Sequence, residues 1–174
     1  MRATAEVVIA VNDAWRLCPE ADILYACDRR WWEYHLADVR KGFKGALWTQ
    51  AEGPDDPDRQ WAAREGLNVQ TGKHAKGLGL EVMHYGGNSG YQAINLAYLM
   101  GVGSILLLGY DMSLGDDGKR HFFGDHPGNM HTGSDYSAWC PGFVPLAVDL
   151  AHEGVEVINC SRRTALTAFK RGEL

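Results

Sequence analysis

The densest run of groups able to move protons or hold ions is residues 111–131, "DMSLGDDGKRHFFGDHPGNMH". His121, Asp125, His126 and His131 fall within it, and imidazole is the side chain that exchanges a proton nearest neutral pH. The histidines recur five residues apart, which does not put two ligands on one helical face, and the Gly and Pro between them fix no ligand geometry. The stretch therefore fits a general base better than a zinc site, and its competing reading is a polar surface loop that happens to contain histidine. Asp111, Asp116 and Asp117 could hold magnesium beside a phosphate, or simply form a solvated acidic loop.

A second candidate opens the segment 84–113, "HYGGNSGYQAINLAYLMGVGSILLLGYDMS". Asn88, Ser89 and Gly90 stand before an apolar helical pattern, where the first turn leaves N–H groups unpaired at the positive end of the helix dipole. An amide, a hydroxyl and bare backbone N–H groups suit a phosphate or a sugar. They suit an ordinary Asn/Ser cap equally well. Neither GxGxxG nor GxxxxGK[ST] occurs, so no standard dinucleotide fingerprint or P-loop is present. Asn12 and Asp28 follow the first two apolar runs, where a nucleotide's base or ribose sits in this fold class, although an Asx turn and a helix cap explain them too. Trp31, Trp32 and Tyr34 could stack a base, but Trp32 has the spacing of a core residue.

These groups must be positioned by strands and helices. Residues 7–11 ("VVIAV") and 23–27 ("ILYAC") are β-branched or apolar runs ending in polar turns and are expected to be buried strands. A helix follows Asp28, with Trp32, Leu36 and Val39 at helical spacing. Residues 46–49 and 67–70 are weaker strands, separated by the Pro- and Asp-rich loop "AEGPDDPDRQ". A helix over 90–100 is stopped by Gly101, and only Gln92 and Asn95 interrupt its apolar surface, so it is expected to be sandwiched. A strand over 104–108, closed by Gly109, precedes the long polar loop. The chain ends with a helix over 143–152, a strand over 155–159 and a short helix over 165–169.

Short buried strands alternating with helices predict an α/β fold: one Rossmann-like domain over 1–174, with a mostly parallel sheet and helices on both faces. Its ligand edge would lie beyond the carboxyl ends of the strands. A chain of 174 residues that is 45% hydrophobic can bury one full core. A net charge of −5 gives nucleic-acid binding no direct help, because gripping a phosphate backbone requires clustered Lys and Arg. The longest apolar run falls well short of the roughly 18 residues that span a bilayer. Cys18, Cys27, Cys140 and Cys160 lack zinc-ligand spacing and follow no secretory leader, so reduced, mostly buried thiols and a cytoplasmic location are expected.

Three segments together resemble a known group. "NSGYQAINLAYLMGVGSILLLGYDMS", "HFFGDHPG" and "VINCSRRTALTAF" are similar, in order, to the central helix-strand unit, the His loop and the closing strand-turn-helix of bacterial sialyltransferase-like proteins. They are similar equally to related phage and archaeal hydroxymethylpterin diphosphokinase-like proteins of the same Rossmann superfamily. "VVIAVNDAWRLCPEADILYACDRRWW" is most like the small phage-encoded branch, which would place the protein in a host cytoplasm. The resemblance implies a transferase binding a nucleotide-activated donor, such as a cytidine monophosphate sugar, with no metal or other cofactor required. By position, Asn12 would contact the nucleotide, Ser89 and Gly90 would face its phosphate or base, and Gly109 to Asp111 would line the cleft. Ser161 and Thr164 would lie at the last loop near the donor. A loop histidine would be the general base, His126 first through the H-x-x-G-x-H pattern and His131 second. Such proteins open with an extra strand and a glycine-rich phosphate loop, whereas residues 1–6 contain no glycine. The first strand and its loop are therefore expected to be lacking, which would leave a strand edge for a second subunit to cover. The acceptor is undefined. Two alternatives stand beside the glycosyltransferase-like reading: magnesium-dependent pyrophosphoryl transfer from ATP, and a nucleotide-binding phage accessory protein of reduced catalysis.

Overall fold

The computed structural model describes residues 7–115, 118–119 and 136–173. The protein is α/β, with parallel strands and helices, as the alternating pattern predicted. It divides into two compact units, Met1–Lys73 and His74–Leu174. No helix among the described residues is long and apolar enough to cross a membrane.

In the first unit, β1 (Ile9–Val11), β2 (Ile23–Tyr25), β3 (Ala46–Ala51) and β4 (Asn68–Lys73) pair in sequence order, all parallel. Parallel pairing demands a crossover between successive strands. A 3-10 turn over Asn12–Arg16 serves the first, α1 (Arg29–Gly42) the second and α2 (Pro57–Arg64) the third. Helix α1 starts where Asp28 Oδ1 accepts the Arg30 amide at 2.9 Å. It buries Trp31, Trp32, His35, Leu36 and Val39 and ends with Arg40 and Lys41 in the last turn, matching the dipole. Trp32 is fully buried, and its indole N–H donates to Ala26 O at 2.9 Å. Tyr34, by contrast, is 60% exposed.

Helix α2 corrects the sequence expectation of a loop over 51–60. Asp56 caps it through the Asp58 amide at 2.8 Å, and Pro57 occupies its first turn, where a missing N–H costs nothing. The same Pro and Asp that suggest a surface loop are here the start signals of a helix.

In the second unit, β6 (Ser104–Leu107), β7 (Glu156–Asn159) and β8 (Lys170–Arg171) form a three-stranded parallel sheet. Its core joins Tyr91 and Ile94 of α3 (Ser89–Leu99) to Phe143, Leu146 and Leu150 of α5 (Phe143–His152) and to Leu107, Val157, Leu166 and Phe169. The short strand β5 (Met83–His84) precedes α3, and a four-residue helix α4 (Tyr136–Trp139) leads through a 3-10 turn into α5. The sandwiched character expected of α3 holds, since even Gln92 and Asn95 are buried. No helix forms over 165–169. Thr164 Oγ1 instead accepts the Leu166 amide at 3.0 Å, turning the chain so that Leu166 and Phe169 both enter the core. All four cysteines are thiols, but only Cys18 is buried and the other three are half-buried, fewer than their apolar neighbours suggested.

Tyr91 carries a testable consequence of this core. Its hydroxyl donates to Gly77 O at 2.7 Å, and burial pushes its pKa up to about 12, with the Asp149 carboxylate adding to the rise. The folded state thus prefers the neutral phenol, so this contribution to stability is intact below the unfolded value of 10.0 and is lost as pH rises through about 12. Alkaline denaturation of Tyr91→Phe, followed by circular dichroism, is expected to show a shallower fall in stability across that window than the parent protein.

Candidate functional site

The strand tips of the second unit gather most of the candidate residues. At the start of α3, Asn88 Oδ1 accepts the Tyr91 amide at 2.9 Å, closing the first turn. The approach to that cap is a tight glycine turn. Gly86 has φ +55, and a Cβ there would stand 2.2 Å from the Tyr91 ring. Ser89 is buried. The Asn88 amide nitrogen is also buried and has no hydrogen-bond partner among the described residues. The indole of Trp139 flanks Gly87, 3.7 Å from where its Cβ would stand.

Tyr110, just past β6, ties this helix start to the loop after β7. Its hydroxyl donates to Gly90 O at 3.0 Å, its amide donates to Ser161 Oγ at 2.8 Å, and its carbonyl accepts from Thr164 Oγ1. Burial raises its pKa, so the hydroxyl remains a donor across the physiological range. Gly90 permits the approach, since a Cβ there would lie 3.1 Å from the Tyr110 ring. Gly109 supplies the left-handed turn, φ +72, that swings Tyr110 off the strand.

The β7 side is held by Asn159, which is fully buried. Its Oδ1 accepts the Ser161 amide at 3.0 Å and its Nδ2 donates to Thr164 Oγ1 at 3.2 Å. The Ala165 amide donates to Asp111 O at 2.8 Å, and Arg171 Nη2 donates to Ser161 O at 2.6 Å. Thr164 is therefore committed to internal bonds. Ser161 Oγ accepts one such bond, and only 3% of Ser161 is exposed. Asp111 is exposed, yet the surrounding protein raises its carboxyl above the usual range while Arg163 pulls it down. Asn88, Ser89, Gly90, Gly109, Asp111, Ser161 and Thr164 thus share one connected rim in this unit.

Asn12 and Asp28 belong to the first unit, at the carboxyl ends of the neighbouring strands β1 and β2. Asn12 has φ +49, a left-handed conformation that Asn tolerates better than most residues. The turn it begins is anchored by Asp13, which is buried and accepts from Trp31 Nε1 at 2.9 Å and from Arg16 Nε at 3.1 Å. Asp28 lines an open cleft of about 600 Å³ together with Cys27, Arg29, Arg30, Glu33, Gln50 and Asp58. Trp31 and Trp32 are core residues rather than stacking platforms.

His126, His131, His121, Asp125, Asp116 and Asp117 lie outside the described residues. Among the described residues, no group of three or more His, Cys, Asp or Glu side chains is placed to hold a metal ion. No motif in the sequence singles out Tyr110, Asn159 or Gln50. Their importance comes from partners distant in the chain, such as the 51 positions separating Tyr110 from Ser161. Comparison with known proteins finds no family model, no curated protein and no solved structure that matches this chain.

Proposed function

We propose that the protein binds a nucleotide-activated donor and transfers a glycosyl or similar group from it to an acceptor hydroxyl. What supports this reading is the rim built on Tyr110. It collects an amide, small residues at a helix start and the last-strand loop at the carboxyl ends of parallel strands, where α/β proteins take nucleotides. The strand tips of the first unit, with Asn12 and Asp28, offer polar groups of the kind that contact a base or ribose. In the transfer, the acceptor oxygen bonds to the sugar's anomeric carbon and its proton passes to His126. The bond from that carbon to the phosphate oxygen breaks, and its electron pair leaves on the nucleotide. No metal enters this scheme, and the assignment of His126, with His131 second, rests on the sequence pattern and the resemblance.

Isothermal titration against a panel of nucleoside mono-, di- and triphosphates and cytidine monophosphate sugars tests the binding half. Micromolar to submillimolar association with at least one is expected, and no heat at millimolar ligand would reject it. With a binding donor in hand, His126→Ala is expected to retain donor affinity and to lose turnover by about 100-fold or more. An unchanged rate removes His126 from the mechanism. A fall in rate that EDTA reproduces in the parent protein would favour magnesium-dependent pyrophosphoryl transfer instead.

A further inference from the structure

Helix α4 buries none of its residues, yet it sets a tryptophan beside the start of α3. Trp15, Trp31 and Trp32 are core residues, and Trp61 lies under the Arg29 guanidinium. Trp139 serves neither purpose. It is half-buried and stands outside the core of its unit, and its ring neighbour is the half-buried Tyr136, edge-on at 5.9 Å and 80°. On another side it meets bare backbone. Trp139 Cδ1 and Nε1 are both 3.7 Å from where a Gly87 Cβ would stand. Gly87 is exposed and has φ +96, a conformation that disfavours any side chain, so nothing projects from the turn over the indole there.

Two donors flank Gly87. The Trp139 indole N–H makes no hydrogen bond among the described residues, so the fold does not hold the ring by its polar handle. One residue on, Asn88 Nδ2 also has no partner among them, its Oδ1 being taken by the Tyr91 amide. The positive end of α3 lies on the same turn. Donors left without acceptors suit ligand oxygens, and a partly covered indole suits a ring.

We propose that Trp139, braced by Tyr136, is the stacking wall of a subsite beside the α3 start that takes a ring bearing oxygen substituents, its face on the indole and an oxygen turned toward Asn88. The subsite rests on the reading of this rim as a ligand site. A nucleobase and a pyranose share that chemistry, the first through its π face and the second through a face of C–H groups.

Isothermal titration on the full chain compares cytidine, adenosine, methyl α-glucopyranoside and inorganic pyrophosphate, which has no ring. At least one ring probe is expected to bind the parent at millimolar concentration or below, and Trp139→Leu to weaken it about tenfold, the scale of one lost stack. Trp139→Phe keeps a ring face and should recover most of that loss, while neither variant changes pyrophosphate binding. Both should fold, checked by circular dichroism, because α4 buries no residue. Quenching of the parent's tryptophan fluorescence by the ring probe, lost in Trp139→Phe, reads the same contact without the leucine variant. A loss confined to the nucleosides supports the subsite with a base as its occupant, and one confined to the pyranoside supports it with a sugar. Ring binding that Trp139→Leu leaves unchanged, or a fall that pyrophosphate shares equally, overturns the subsite. So does a parent that binds no ring probe; nucleotide binding would then keep the donor reading, and its absence would remove both.

Discussion

Replacing Asn95 by alanine is expected to cost about 3 kcal/mol of stability, measured by urea denaturation, because three backbone groups lose their partner together. Asn95 lies mid-helix in α3 and is fully buried. Its Oδ1 accepts the Gly79 amide at 2.9 Å and the His84 amide at 2.8 Å, and its Nδ2 donates to Gly79 O at 2.9 Å. Alanine leaves two N–H groups and one carbonyl without the acceptor or donor that the fold gives them. Asn95→Asp separates the contributions. Both oxygens can accept, but the ionised carboxylate has no proton for Gly79 O and is buried. Its folded pKa would be raised, so the variant should be most stable below pH ~4, the unfolded carboxyl value, and lose stability as pH rises through the folded one. A pH-independent loss equal to that of alanine would show that the two bonds accepted by Oδ1 contribute nothing.

Asp13→Ala is expected to destabilise the first unit by about 2 kcal/mol, because the buried Trp31 indole N–H loses a charged acceptor that nothing else replaces. Asp13 is 3% exposed, and its two oxygens serve Trp31 Nε1 and Arg16 Nε, with His35 Nε2 3.9 Å from Oδ1. The carboxylate fastens the turn after β1 to the inner face of α1. Arg16 retains solvent, with 43% of its side chain exposed, so the loss falls mainly on the buried Trp31 indole and His35. Asp13→Asn keeps an acceptor for Trp31 and should recover part of the stability. Thermal unfolding of the two variants side by side measures the difference, and an alanine variant within 0.5 kcal/mol of the parent, a roughly surface-like effect, would contradict the assigned role.

Elements that bury apolar stripes were the ones the sequence disclosed. "VVIAV", "ILYAC" and "SILLL" overlap β1, β2 and β6, and the predicted helix over 143–152 coincides with α5, because each carries its periodicity in its own residues. What escaped is set by pairing or by local chemistry. β5 and β8 are two residues each and exist through their neighbours, and α2 is marked by a cap and a proline more than by an apolar stripe. The helix expected over 165–169 fails because Thr164 bends the chain toward the core, a bond from Oγ1 that no periodicity records. The rim was half legible. Asn88, Gly109, Asp111 and Ser161 stand out as polar or glycine tips of apolar runs. That Tyr110 joins Gly90, Ser161 and Thr164 depends on tertiary neighbours that a linear reading cannot bring together.

The polar underside of α3 has one more consequence. Tyr91, Gln92 and Asn95 are bolted to the chain between Gly77 and Tyr85, through Gly77 O, Tyr85 O and the two backbone groups of Gly79. The helix can neither slide along its axis nor roll without breaking several of these bonds at once. Whatever meets the amides at its tip therefore encounters a preorganised surface whose ordering entropy was lost during folding, and retains more of the interaction energy as affinity.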